Sequence, residues 1–283
     1  MNEFLIPNSQ FPIPNSQFPI PHSQFPILPM KQEIQIFFTA LMFFTRLPCP
    51  TKLEYSEDYL NQATKYFPLI GWIVGGSAAL VFFLSTFLFP ISIAVVLSMV
   101  TSILITGAFH EDGFADVCDG FGGGWEKAHI LTIMKDSRVG AYGVIGMTLI
   151  LLLKFAAIQA MPIDMVPVVL LAGHSLSRFA TSTIIFTHDY VRDNEDSKAK
   201  PVAKKLSVKQ FIVAGCFGFA PLLLLPSYYC LLAIIPVWLM TRYLAHFFTQ
   251  RIGGYTGDCL GATQQLTEIV FYLVMVTEFW TFI

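Results

Sequence analysis

The chain is predicted to be an all-α, polytopic integral membrane helical bundle, with about seven transmembrane helices behind an N-terminal interfacial or re-entrant helix. Three observations predict it. The 283 residues are 54% hydrophobic and only 13% charged, about half the charge fraction of a soluble domain. Several apolar runs reach the roughly 20 residues that cross a hydrocarbon core. Short proline-marked turns alternate with long polar connections between those runs.

The first 29 residues are a separate object. PNSQFPI, PNSQFPI and PHSQFPI follow one another at 7–13, 14–20 and 21–27. Their prolines exclude helix and sheet, and no charge pattern suits a coiled coil. Residues 1–29 are therefore read as a disordered low-complexity tail, a translated tandem repeat ahead of a working start at Met30, in preference to a proline-rich docking tail. Residues 30–283 form a single membrane-embedded domain. No basic region followed by an apolar one marks a cleavable signal peptide. The five cysteines form no CxxC pair and no metal spacing, so they are free thiols in this reading.

Residues 34–47 are apolar but too short to span, and they stop at Pro48 and Pro50, which suits an interfacial helix. Spans are expected at 66–89, 91–109, 141–161, 166–187, 211–225, 228–248 and 266–283, the fifth being short. Tight turns fall at Pro90, 162–164 and 226–227. Long polar connections cover 110–140, 188–209 and a glycine-rich loop at 250–263. None of the tight turns carries Lys or Arg, whereas the long connections hold Lys127, Lys135, Arg138, Arg192, Lys198, Lys200, Lys204, Lys205, Lys209 and Arg251. The positive-inside rule puts all three long connections in the cytoplasm of a bacterial-type inner membrane. The basic run 198–209 is placed against anionic lipid headgroups. Lys154, Arg178 and Arg242 lie in apolar segments and should face protein or snorkel.

Carboxylates are costly beside a bilayer, so the run HEDGFADVCDGFGGGWEKAHILTIMKDSRVGAY from His110 is a functional site by default. On a helix, Asp112, Asp116 and Asp119 share one face. Clustered acids need a cation, and hard oxygen ligands select Mg²⁺ or Mn²⁺, which completes its shell with substrate phosphates. Gly120, Gly122, Gly123 and Gly124 would end that helix and let backbone amides approach an anion. Lys135 and Arg138 would clamp phosphate oxygens. Together these suit phosphoryl-group transfer.

A second cluster, RIGGYTGDCLGATQQLTE, carries Gly253, Gly254, Gly257 and Gly261 around Asp258. Asp258 reads as a metal ligand or hydroxyl partner, or as a helix N-cap. Glu268 enters the last span and must find a partner there. His110 has the character of a base beside the acids, or of a satisfied structural hydrogen bonder. His174 and Arg178, one turn apart, would form a buried polar face.

These motifs resemble the adenosylcobinamide-GDP ribazoletransferase family, also called cobalamin synthase or cobalamin-5′-phosphate synthase. The resemblance lies in HEDGFADVCDGFGGG, MKDSRVGAYG, ALMFFTRLPCP at 40–50 and GGYTGDCLGA at 253–262, in that order. It covers the chain from about Met30 onward, and the 1–29 tail departs from it. It implies a transferase of cobalamin (vitamin B12) biosynthesis. A ribazole hydroxyl of α-ribazole, or of its 5′-phosphate, would attack adenosylcobinamide-GDP at the phosphorus nearer the corrinoid, and GMP would leave. On this resemblance Asp112, Asp116 and Asp119 would bind Mg²⁺ and, through it, the diphosphate. Lys135 and Arg138 would neutralise the leaving GMP, and Asp136 would assist metal or ribose. Ser137 and the glycines Gly122, Gly123, Gly124, Gly253, Gly254 and Gly257 would line the substrate, with His110 or Asp258 as general base. Expected partners are the two substrates and membrane lipid, with no nucleic acid; a homo-oligomer or contacts with other corrinoid-pathway enzymes stay open. The rivals are another Mg²⁺-dependent membrane phosphotransferase or prenyltransferase, and a divalent-cation transporter.

Overall fold

The structure, a computed structural model, describes residues 32–50, 57–191 and 205–277. The 1–29 repeat tail, Arg192, Lys198, Lys200, Lys204 and residues 278–283 of the expected last span lie outside them. Eleven α-helices follow in order among the described residues: α1 (Gln32–Phe44), α2 (Glu57–Ala63), α3 (Phe67–Ser85), α4 (Ile91–Thr106), α5 (Phe109–Gly123), α6 (Lys127–Ile133), α7 (Ala141–Ala160), α8 (Val166–Thr187), α9 (Val208–Phe219), α10 (Ile234–Ile252) and α11 (Gly257–Met275). Three short 3₁₀ turns complete them, and among the described residues an isolated bridge joins Tyr190 to Tyr255. The helical fold class agrees with the sequence.

By length and composition four segments can cross a membrane: Asp58–Ser85, Ala141–Ala160, Val166–Thr187 and Tyr228–Ile252. A fifth arises if α4 and α5, bent by 89° at their junction, count as one broken span. Three of the seven expected spans change character, the second because α4 reaches spanning length only together with the bent α5. The fifth breaks into the 12-residue α9 and a 3₁₀ turn at Ala220–Leu224, because Pro221 cannot continue the helix. The seventh begins nine residues earlier than expected. The expected glycine-rich loop at 250–263 reduces to a four-residue turn, since α10 runs to Ile252 and α11 starts at Gly257. Thr256 makes that start: its Oγ1 accepts the Cys259 amide at 3.3 Å.

Helix α8 is the axis of the bundle. Of its apolar window 78% is buried, against 28% for α7 and 33% for α10, which present Leu149, Leu152, Ile235, Trp238 and Leu239 outward as lipid-facing helices do. Small residues let α3 lie against α8 at backbone distance. A Cβ at Gly71 would stand 2.5 Å from the His174 carbonyl oxygen, and one at Gly75 would stand 2.8 Å from that of Leu170. This is the small-xxx-small approach by which apolar helices gain contact where burial from water offers nothing.

The described ends of the polar connections meet at one end of the bundle. Arg251 Nη2 donates to the Gly124 carbonyl at 3.0 Å, joining the end of α10 to the end of α5. The Tyr255 amide donates to Asp189 O at 3.1 Å and Val191 N donates to Tyr255 O at 3.0 Å, joining that turn to the end of α8.

Replacing Gly71 by Leu should force α3 off α8 and lower stability by about 1–3 kcal/mol, the usual range for overpacking. Thermal unfolding in detergent reads this directly; an unchanged midpoint would remove the close helix approach as a source of stability.

Candidate active site

Helix α5 carries the acids, and its surroundings decide what each can do. It starts at a sharp elbow and crosses α11 where two glycines meet. A Cβ at Gly113 would lie 3.0 Å from the Asp258 Cα, and one at Gly261 would lie 3.0 Å from the His110 carbonyl. The crossing therefore sets Asp112 and Asp116 on α5 beside Asp258 in the first turn of α11. Two sequence clusters far apart in the chain thus meet at one helix crossing. Asp112 is exposed, while Asp116 and Asp258 are half-buried. Asp258 receives a hydrogen bond from Thr256 Oγ1 at 3.3 Å.

Asp119 leaves that group. Its two oxygens accept the Gly140 amide at 2.6 Å and the Gly143 amide at 2.8 Å. It thus caps α7, whose own N-cap is a glycine without a side chain. Among the described residues no three His, Cys, Asp or Glu side chains converge at metal distance. The hard oxygen donors of Asp112 and Asp116 still suit Mg²⁺, which commonly takes one or two carboxylates and completes its shell with water and phosphate.

His110, expected as a base, is buried at 2% exposure, with Nε2 3.2 Å from Arg178 Nη2. Its ring nitrogen accepts from the Arg178 guanidinium, the setting of a structural hydrogen bonder. The glycines after the acids have close neighbours, and Gly122 and Gly123 are exposed. Gly120 seats Met134, Gly122 lies under the Tyr142 ring, Gly123 stands near Ile133 and Gly124 takes Ile130. Gly253 and Gly254 adopt φ of 88° and 157°, and a Cβ on Gly254 would lie 2.2 Å from Asp189 O. Gly257 differs: it is exposed and a Cβ there would meet open space.

Lys135, Ser137 and Arg138 are exposed in the turn between α6 and α7. Arg138 is already engaged, with Nη2 2.5 Å from Asp136 Oδ2 and Nε 3.0 Å from Oδ1. The guanidinium holds the Asp136 carboxyl down at about 2. A phosphate binding Arg138 must compete with that carboxylate.

Below the acids lies a polar core that sequence reasoning glimpsed only in part. Glu268 on α11 meets Lys154 Nζ of α7 at 2.5 Å and His174 Nδ1 of α8 at 3.2 Å, and accepts a hydrogen bond from Gln264 Nε2. His174 Nδ1 also lies 3.2 Å from Arg178 Nη1. Gln265 Nε2 donates to Glu111 Oε1 of α5 at 3.0 Å. Two cations and two carboxylates balance within this core. Lone charges such as Lys154 in an apolar run signal buried pairing, but nothing in the sequence identifies the partner.

A family model described as cobalamin-5-phosphate synthase matches residues 36–276. The chain belongs to the cobalamin-5-phosphate synthase family. Adenosylcobinamide-GDP ribazoletransferase from Shewanella amazonensis is 48% identical over 250 residues, covering 87% of this chain and 96% of its own length. The proteins of the same name from Shewanella frigidimarina and Shewanella woodyi are 44% and 41% identical, each covering at least 86% of this chain and 95% of their own. No solved structure matches. In this family member the HEDGFADVCDG and GGYTGDCLGA motifs thus form the two sides of one helix crossing.

The acids should separate by stability. Asp119→Ala removes a cap and should cost about 0.5–2 kcal/mol, whereas Asp112→Ala, exposed among like charges, should cost nothing measurable. Thermal unfolding of both variants in detergent tests this, and equal midpoints would refute the assignment of Asp119 as a cap. In the polar core, Glu268→Ala strands Lys154 and should destabilise by about 3–5 kcal/mol, while the double variant Lys154→Met with Glu268→Gln recovers part of the loss. A double-mutant cycle with additive costs would show that the pair is not coupled.

Proposed function

We propose that this protein transfers the adenosylcobinamide-phosphate moiety of adenosylcobinamide-GDP to α-ribazole or its 5′-phosphate, releasing GMP, late in cobalamin biosynthesis. The carrying observation is the Gly113–Gly261 crossing, which brings the Asp258 backbone against the helix that carries Asp112 and Asp116. Its relatives' name, adenosylcobinamide-GDP ribazoletransferase, supplies the substrates.

Asp112 and Asp116 are the residues that would hold Mg²⁺, which when bound neutralises diphosphate charge. Asp258 is the base. It is half-buried, lies across the crossing from both acids, and takes the proton of the attacking ribazole hydroxyl. The new P–O bond forms at the phosphorus nearer the corrinoid, and the bridging P–O bond breaks with its electron pair leaving on GMP. Lys135 and Arg138 meet the departing phosphate, with Arg138 exchanging Asp136 for it. Exposed Ser137 and Gly257 would contact the substrates. The gathering of Lys127, Lys135, Arg138 and Arg251 at this end supports a cytoplasmic mouth in a cell inner membrane.

Asp112→Asn and Asp258→Asn should each accumulate normally in membranes and lower GMP release by roughly 100-fold or more, the scale of a lost charge-stabilising or proton-transfer group. Omitting Mg²⁺ should abolish release by the unaltered protein. Near-normal release from both variants would overturn the assignment.

A further inference from the structure

The ALMFFTRLPCP motif has no role in the chemistry above, yet its last residues lie against the elbow that aims α5. The elbow is two consecutive left-handed residues, Gly107 at φ 68° and Ala108 at φ 59°. Glycine accepts that conformation without cost, but alanine does not, so the surroundings must impose it. Helix α4 ends there, with the Ala108 amide donating to Ile103 O at 2.9 Å. Helix α5 begins there, with the Asp112 amide donating to Ala108 O at 2.9 Å. The first metal-binding aspartate of the proposed site is thus tied by its own backbone to the strained residue.

Arg46 closes on this elbow from outside. Its backbone amide donates to Ile105 O at 2.7 Å, and its Nη2 reaches Gly107 O at 3.5 Å. The fit leaves no room for a side chain, since a Cβ on Gly107 would lie 2.0 Å from Arg46 Nε. Thr45 fixes the approach: its Oγ1 donates to Leu41 O at 2.6 Å and accepts the Leu47 amide at 3.2 Å. Phe43 and Phe44 of α1 pack on Phe109, with ring centroids 5.7 and 6.4 Å away, and Phe44 stacks on Phe67, which contacts His110. The motif grips both sides of the elbow.

We propose that Arg46 is a positioning residue, which clamps the Gly107–Ala108 elbow and thereby holds Asp112 and Asp116 in register opposite Asp258. The link to Mg²⁺ rests on the proposed function; the clamp itself does not. Arg46 is exposed, so its removal leaves no buried hole.

The test uses the full chain in detergent, with Arg46→Ala, Arg46→Lys and, as an independent disturbance of the same contact, Gly107→Ala. Hydrogen exchange of the metal-free proteins reads the clamp without any activity. The Ala108 and Asp112 amides should exchange at least about tenfold faster in Arg46→Ala and Gly107→Ala, with the α8 amides unchanged. Arg46→Lys keeps a cationic side chain that can reach the Gly107 carbonyl and should fall between. In the GMP-release assay, the Mg²⁺ concentration for half-maximal rate should rise about tenfold, with the KM for adenosylcobinamide-GDP nearly constant. Unchanged exchange at Ala108 and Asp112 in both disturbed variants overturns the clamp. A raised substrate KM with unchanged Mg²⁺ dependence also overturns it, because Arg46 would then be touching substrate. If elbow exchange accelerates while the unaltered protein needs no Mg²⁺, the clamp stands and the metal assignment falls.

Discussion

The carboxylate of Glu268, fully buried inside a helical membrane bundle, is the constraint on which the rest of the structure depends. An unpaired anion there is prohibitive, so Lys154 must come from α7, His174 from α8 and Gln264 from one turn back on α11. Satisfying one residue fixes the rotation and register of three helices at once. Gln265, the neighbour of Gln264, then reaches Glu111 and ties in α5. Removing the ion pair as a whole is tolerable in principle, but removing one member is not, so the group behaves as a unit.

The acidic helix is located by that frame from several sides. Glycines at 113 and 261 let it touch α11, Asp119 caps α7, and His110 meets Arg178 beneath the site. Three aspartates on one helical face therefore have different surroundings. Asp112 and Asp116 lie beside Asp258, and Asp119 supplies an N-cap that glycine at 140 cannot. Helical spacing aligns side chains, but the neighbour packed against each decides its role.

Polarity also explains the disagreement over spans. Helix α11 carries Thr263, Gln264, Gln265, Thr267 and Glu268 buried within the bundle. A hydropathy criterion tuned to lipid contact passes it over, although its length matches α10. Conversely, α7 and α10 read as strongly apolar because they turn most of their surface outward. Hydropathy reports what faces lipid, and a helix enclosed by protein is free to be polar.

The amino-acid sequence by itself determined the class of fold, the ends of α7 and α8 to within a residue, and the turns at Pro90 and 226–227, and it marked the acidic and glycine-rich motifs. Those features are local: apolar run length, proline, and carboxylates near glycine. Only the tertiary structure decided that the Asp258 backbone packs against the helix of Asp112 and Asp116 at Gly113, that Asp119 is a cap, that His110 is buried under Arg178, and that Lys154 finds Glu268 more than 100 residues away. Each of these is a pairing between distant segments. A single sequence states which groups need partners, but the partner is chosen by which helices can approach closely enough, and here glycine at the crossings made that choice.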